Sequence, residues 1–329
     1  MQPRESSLLL HDAPWAQKCC GHTQDIYLSH ADVLCLVFCL PAADIAHSNI
    51  ISNYVDLAGG GIYVSDSARL NLSDSRLVGN VAQMHGGGMG LWQEADVQVA
   101  RALIANNVAG DFGGAVSATN ASFLNILETS VQNNTASTHG GGVFTSNASG
   151  VVIRHTMFVS NRVAEKGGAL GVLGSATVLL DGCVVDNNTA MYAGGVDVEE
   201  NATLHLVATN MTSNTAEYSG GAMYASGNSS IYARSCIVAN NNAKGYYGGA
   251  VFLYDASSLQ LDGVVIDANK AVYGGGLKVE GSATLHMVNT TLTSNIAAKT
   301  GGAVYAGDNS SVHAVSCVLD TRPADPLSG

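Results

Sequence analysis

An all-β solenoid of stacked parallel coils is the fold class that three observations in the sequence predict. A motif of the form apolar-x-x-Asn-x-(Ala/Val), followed by paired glycines, recurs along nearly the whole chain. Apolar residues flanking it come in pairs separated by one residue, which is the period of a strand and not of a helix. The five prolines, Pro3, Pro14, Pro41, Pro323 and Pro326, all lie outside the repeats, as hydrogen-bonded strands require.

The repeated asparagines are Asn53, Asn80, Asn107, Asn134, Asn161, Asn188, Asn214, Asn241, Asn269 and Asn295, at spacings of 27, 27, 27, 27, 27, 26, 27, 28 and 26 residues. Single-residue slips of this kind belong in turns, because a slip inside a strand would send every later side chain to the opposite face. The first strand of a coil carries apolar pairs such as Val97/Val99, Leu124/Ile126, Val178/Leu180 and Leu204/Leu206. The second has one apolar residue three positions before the Asn, as in Ile50, Leu77, Phe158 and Val238. The third follows the glycines, as in Ile62/Val64, Met89/Leu91 and Val251/Leu253.

Three short strands per coil, separated by Gly, Asn, Ser or Asp, describe a right-handed parallel β-helix of about ten coils of 27 residues. At the ~4.8 Å strand spacing such a rod is roughly 45–50 Å long. The expected organisation is an N-terminal cap, partial coil or targeting segment over 1–41, the β-helix over 42–320 and a tail over 321–329. A longer period overlies the coil: Gly220 to Cys236 matches Gly301 to Cys317 at an offset of 81 residues, three coils on. The scaffold therefore reads as one grown by copying a three-coil unit.

Composition narrows the role. With 47% hydrophobic and only 12% charged residues in 329, the chain can bury a core and is not disordered. A net charge of -12 argues against a nucleic-acid partner. The longest apolar run, Val33 to Leu40, is too short for a membrane helix, so no transmembrane segment is expected in this chain. That run and the small residues after it have some features of a signal sequence, but it follows Asp32 and has no basic segment before it. It also aligns with the first strand of an earlier coil, and a coil or cap is the favoured reading.

The turns Gly114-Ala115-Val116, Gly168-Ala169-Leu170 and Gly302-Ala303-Val304, with Phe158-Val159-Ser160-Asn161, resemble the paired short motifs of chlamydial polymorphic outer membrane protein repeats. More broadly, residues 45 to about 320 are similar to a pectin-lyase-like right-handed β-helix. The resemblance implies a surface-exposed adhesive passenger. Only one copy carries Phe at the family position, which is a departure from the pattern.

Candidate sites fall on columns of equivalent residues. The ten repeated asparagines read as a structural ladder in which each amide bonds backbone groups and its copy one coil away. His85 to Gly88 and His139 to Gly142 match an oxyanion-hole tetrapeptide, but no nucleophile elbow accompanies them, and they read as ordinary repeat turns. Arg154 and Asp181, Arg234 and Asp262, and the row Asp74, Arg101, Glu128 read as surface ion-pair ladders.

A polar strip carries His205, Tyr232, Gln260, His286 and His313, of which the last two sit in adjacent coils without a third metal ligand. Neither a metal nor a cofactor is expected. Tyr192, Tyr218, Tyr246 and Tyr273 precede the glycines of four consecutive coils and form the contact surface to test first. Cys183, Cys236 and Cys317 share one repeat position, and Cys183 and Cys236, two coils apart and too far for a disulfide, read as small buried residues. Cys19, Cys20, Cys35 and Cys39 lie in the nonrepetitive N-terminus, with no metal-binding pair among them.

Ten Asn-x-Ser/Thr sequons, at Asn71, Asn120, Asn133, Asn147, Asn187, Asn201, Asn210, Asn228, Asn289 and Asn309, lean toward a glycoprotein. The sequence thus predicts a noncatalytic extracellular or cell-surface scaffold for adhesion, with protein or glycan contacts on its lateral faces. The alternatives are a polysaccharide lyase or glycoside hydrolase on the same fold, although the polygalacturonase-type signatures are missing, and a purely structural spacer. Because the last coil ends near Leu319 with little chain to cover its edges, a fragment or end-to-end self-association is expected.

Overall fold

The computed structural model describes residues 36–38, 42–147 and 149–320, and every regular element in them is a β-strand. The strands stack in parallel into three sheets of eleven and one of ten. One coil runs through sheet B (Phe123–Leu127), sheet C (Ser130–Gln132), sheet D (Thr135–Ala136) and sheet A (Val143–Thr145). Sheets B, C and A are the three strands per coil read from the sequence. Sheet D is a fourth, and its signal is small because each strand has one steadily inward residue, the Ala or Val two positions after the ladder Asn. Ala109, Ala136, Val163 and Ala190 from this column form a small buried cluster of their own.

The chain turns between sheets B and C through single left-handed residues, including Arg101, Glu128 and His155 at φ 50, 49 and 48°. A second left-handed residue precedes the ladder, as at Asn106, Asn133 and Ser160, with φ 56, 54 and 56°. Each such residue costs about 1–2 kcal/mol unless its side chain is Gly or Asn.

The buried asparagine beside the second corner offsets that cost. Asn134 donates its backbone N–H and its Nδ2 to Asn161 Oδ1 at 3.1 and 3.0 Å, and its Nδ2 also to the Ile104 carbonyl at 3.0 Å. The same pattern recurs from Asn80 to Asn269.

The paired glycines have a steric cause. A Cβ on Gly141 would lie 2.4 Å from the Gly168 carbonyl oxygen and 2.6 Å from that of Arg162. The backbone of sheet D therefore rests directly on the glycine column, which only hydrogen on that face permits.

Inside, equivalent apolar residues pile into columns with almost no exposure, as for Leu206 at 1% and Val238 at 0%. Cys183, Cys236 and Cys317 are free, and the first two are buried. Cys236 Sγ donates to the Arg234 carbonyl, as the hydroxyls of Thr129 and Thr156 do to theirs in the same column. Burial pushes the Cys183 thiol up to about 11, so it is an inert packing group.

Leu36–Phe38 pairs in parallel with Ile62–Val64. The rest of the Val33 to Leu40 run, the four N-terminal cysteines, all five prolines and the 321–329 tail lie outside the described residues. In the last described turn Val315, Val318 and Leu319 are exposed.

Candidate functional site

Three surfaces collect the polar and aromatic side chains. On sheet B, registry places His205, Tyr232, Gln260, His286 and His313 in five consecutive coils. His205 stacks on Tyr232 with ring centroids 5.0 Å apart, and His286 on His313 at 4.9 Å. On the same sheet Arg154 lies 3.8 Å from Asp181. Arg101 holds Asp74 through two charge-assisted bonds of 2.8 and 2.7 Å, which keeps the Asp74 carboxyl below its usual range.

The tyrosines ahead of the glycines are brought together along sheet D in two offset columns. Tyr192 stacks on Tyr218 at 5.5 Å and Tyr218 on Tyr246 at 6.1 Å, the latter nearly parallel at 6°. A register shift after Ala190 pairs Tyr192 with Ser219, so Tyr218 and Tyr246 sit one residue earlier than Tyr192 and Tyr273. Tyr247, which the sequence reading left out, joins the columns: its ring lies 5.8 Å from Tyr246 and 5.7 Å from Tyr273. Tyr218 and Tyr246 are 41% and 51% exposed, so they are the rings a partner can reach.

The third surface was missed in the sequence. The middle residue of each sheet A strand points away from the core, yet Phe144, Asp197, Phe252 and Lys278 are buried. The column just before the glycines, which includes Phe112, His139, Lys166, Tyr192 and Tyr247, folds over them and makes a second, outer layer. Its aromatic members pack as rings, with Phe112 4.5 Å from Phe144. Lys278 Nζ sits 3.8 Å from the Tyr305 ring centroid and 3.1 Å from Glu280.

The outer layer also gathers the one group of three His, Cys or carboxylate ligand atoms found among the described residues: His139, Asp197 and Glu199. Asp197 and Glu199 share a face because strand side chains alternate. His139 reaches them from two coils back across Gly171, where a Cβ would lie 3.2 Å from His139 Cβ. His139 Nε2 is 3.9 Å from Asp197 Oδ2 and 3.9 Å from Glu199 Oε2. Glu199 Oε1 accepts from Lys166 Nζ at 2.5 Å and from Ser226 Oγ at 3.2 Å.

Both Asp197 oxygens and both His139 nitrogens are buried without a hydrogen-bond partner. Burial first, and then the Glu199 charge, push Asp197 well above the carboxylate range, against the pull of Lys166. Burial pulls His139 below the imidazole range despite Glu199. Burial also works against the charged form of Lys166, but Glu199 and Asp197 outweigh it and raise that group. The sequence signal was a pair of charges, Asp197 and Lys278, in a column otherwise filled from Tyr63 to Tyr305 by Gly, Ser and aromatic residues.

A shallow cleft of about 170 Å³ lies farther toward the N-terminus, between Tyr63, His85 and Trp92 above Gly90.

A family model described as the right-handed beta helix region matches residues 37–210, just over half of the chain. The chain belongs to the right-handed β-helix family. That assignment agrees with the parallel coils and the absence of helices among the described residues. No curated protein matches it. None of the described residues forms a helix long and apolar enough to cross a membrane.

The Asp197 environment makes a pH prediction. Because its folded pKa is raised, its stabilising contribution is present below the ordinary carboxylate range and is lost as pH rises through the folded value. His139 has the opposite sense, its contribution being lost as pH falls below about 6.5. Asp197→Asn removes only the first effect. In urea unfolding the variant should be more stable than the parent near neutral pH, with the gap narrowing toward about pH 4. A variant less stable at neutral pH would show the carboxylate to be paired and useful as an anion.

Proposed function

We propose that this β-helix is a noncatalytic recognition scaffold, outside the cell or on its surface, that contacts a protein or glycan through a lateral face. The observation that carries this reading is the exposed, near-parallel stack of Tyr218 on Tyr246, continued through Tyr192 and Tyr247. Flat rings held rigid by stacking offer apolar area and a hydroxyl at little entropic cost, which is what sugar faces and protein hot spots use. The polar strip from His205 to His313 adds hydrogen-bonding groups on sheet B. Nine of the ten sequon asparagines, all but Asn120, are exposed, which fits the same location.

The test is a glycan and protein array probed with the parent chain and with Tyr218→Ser/Tyr246→Ser. The double variant should fold normally, since both residues are about half exposed and neither lies in the core, and lose about tenfold or more in affinity for the array ligand. Unchanged binding would remove the tyrosines from the contact. Polysaccharide cleavage abolished by Asp181→Asn or Asp262→Asn would instead make the chain an enzyme, and no ligand at all would favour a spacer.

A further inference from the structure

We propose that His139 Nε2, Asp197 Oδ2 and Glu199 Oε2 form a binding site for a divalent transition metal of the zinc class. The three ligand atoms lie within 4.8 Å of one another, and the two histidine-to-carboxylate distances are both 3.9 Å. In a tetrahedral zinc site, with ligand bonds near 2.1 Å, donor atoms lie about 3.4 Å apart. Closure of about half an ångström for each histidine-to-carboxylate pair, and of no more than about 1.4 Å between the two carboxylates, therefore brings all three into coordination distance.

The second observation is the state of Asp197. Its side chain has no exposed surface, and neither oxygen has a hydrogen-bond partner. A buried carboxylate without partners is costly, and it is aimed at a histidine nitrogen that is also unpartnered. A cation between them satisfies both at once.

Glu199 is already oriented for the role. Lys166 and Ser226 hold its Oε1, leaving Oε2 turned to His139, so the lysine acts as an outer partner that fixes the ligand. Packing of His139 near Phe112 and Phe144 restricts the imidazole.

Ligand chemistry selects the class of ion. One imidazole nitrogen with two carboxylates suits zinc, cobalt, manganese or iron, whereas calcium asks for six to eight oxygens and magnesium for a near-octahedral oxygen shell. The side chains of His139 and Glu199 are each 14% exposed, so the site has an opening, and three protein ligands leave a position there for water or a partner's donor atom.

The sheet B pair His286 and His313 can also hold zinc weakly, so the experiment uses a His286→Ala/His313→Ala background. Chelator-stripped protein is titrated with Zn2+ by calorimetry and with Co2+ by visible absorption, and thermal unfolding is recorded with and without Zn2+. The background protein should bind one equivalent at this site, show the visible bands of tetrahedral cobalt and unfold at a higher temperature with zinc. Asp197→Asn should weaken zinc binding by about 100-fold or more and abolish the bands, while the metal-free variant unfolds no earlier than its parent.

A purely structural Asp197 would give the reverse, early unfolding without any change in metal affinity. Equal affinity in the background protein and Asp197→Asn, or no binding in either, overturns the site. Should Asp197→Asn fail to fold, Glu199→Gln makes the same comparison at a partly exposed position, and equal affinity there also overturns it.

Discussion

Asn161→Ala is expected to lower the free energy of unfolding by about 3–5 kcal/mol, a large share of what a domain possesses. Asn161 Oδ1 accepts from Asn134 N–H at 3.1 Å and from Asn134 Nδ2 at 3.0 Å. Its own Nδ2 donates to the Val131 carbonyl at 2.9 Å and to Asn188 Oδ1 at 3.1 Å. Alanine removes all four bonds at a position with no exposed surface, leaving the Asn134 N–H where water cannot replace the amide.

Asn71→Ala is the contrast. Asn71 is exposed and makes one side-chain bond, 2.7 Å to Asp44, so its loss should change stability by less than about 0.5 kcal/mol. Denaturant unfolding compares the two, and hydrogen exchange should show Asn161→Ala opening first in the coils around residues 134 to 188. Similar small losses at both positions would mean that the ladder does not hold the corners.

Phe158→Ala is expected to cost about 3–5 kcal/mol, whereas Phe158→Leu should cost about 1 kcal/mol. Phe158 is fully buried, and its stacked neighbours in sheet C are Val131 and Val185. Both are smaller, so neither can grow into the space that the ring leaves. The coil also makes room for the ring elsewhere: a Cβ on Gly142 would lie 3.2 Å from Phe158 Cδ1. A thermal-unfolding series of Phe158→Leu and Phe158→Ala reads the cavity directly, and an alanine variant no worse than leucine would mean that the coil collapses around the gap.

The coil was legible in the sequence because every constraint on it repeats. The Asn column, the glycine pairs and the alternating apolar pairs each recur ten times or nearly so, which fixes the period, the inward faces and three of the four sheets. Sheet D was not legible because a strand as short as Thr135–Ala136 presents no alternation to detect. Its existence was encoded indirectly, by the glycines on which its backbone lies.

The surface sites were legible only as far as simple register carries. Counting placed His286 beside His313, and Tyr192 beside Tyr218, as the structure does. It did not foresee the shift that leaves Tyr246 and Tyr273 bridged by Tyr247. Nor did it place His139 beside Asp197 and Glu199, because that contact crosses two coils and depends on a missing side chain at Gly171.

Parallel stacking has a mechanical meaning as well. The strands of each coil pair only with those of the coil before and the coil after, so tension pulling the two ends of the rod apart loads these junctions in series. The weakest junction yields first and pays out one turn of chain, about 90 Å when fully extended, while the remaining turns keep their shape. Such a rod lengthens in steps under load and does not snap as a unit, and a surface attached through it stays tethered while energy is dissipated turn by turn.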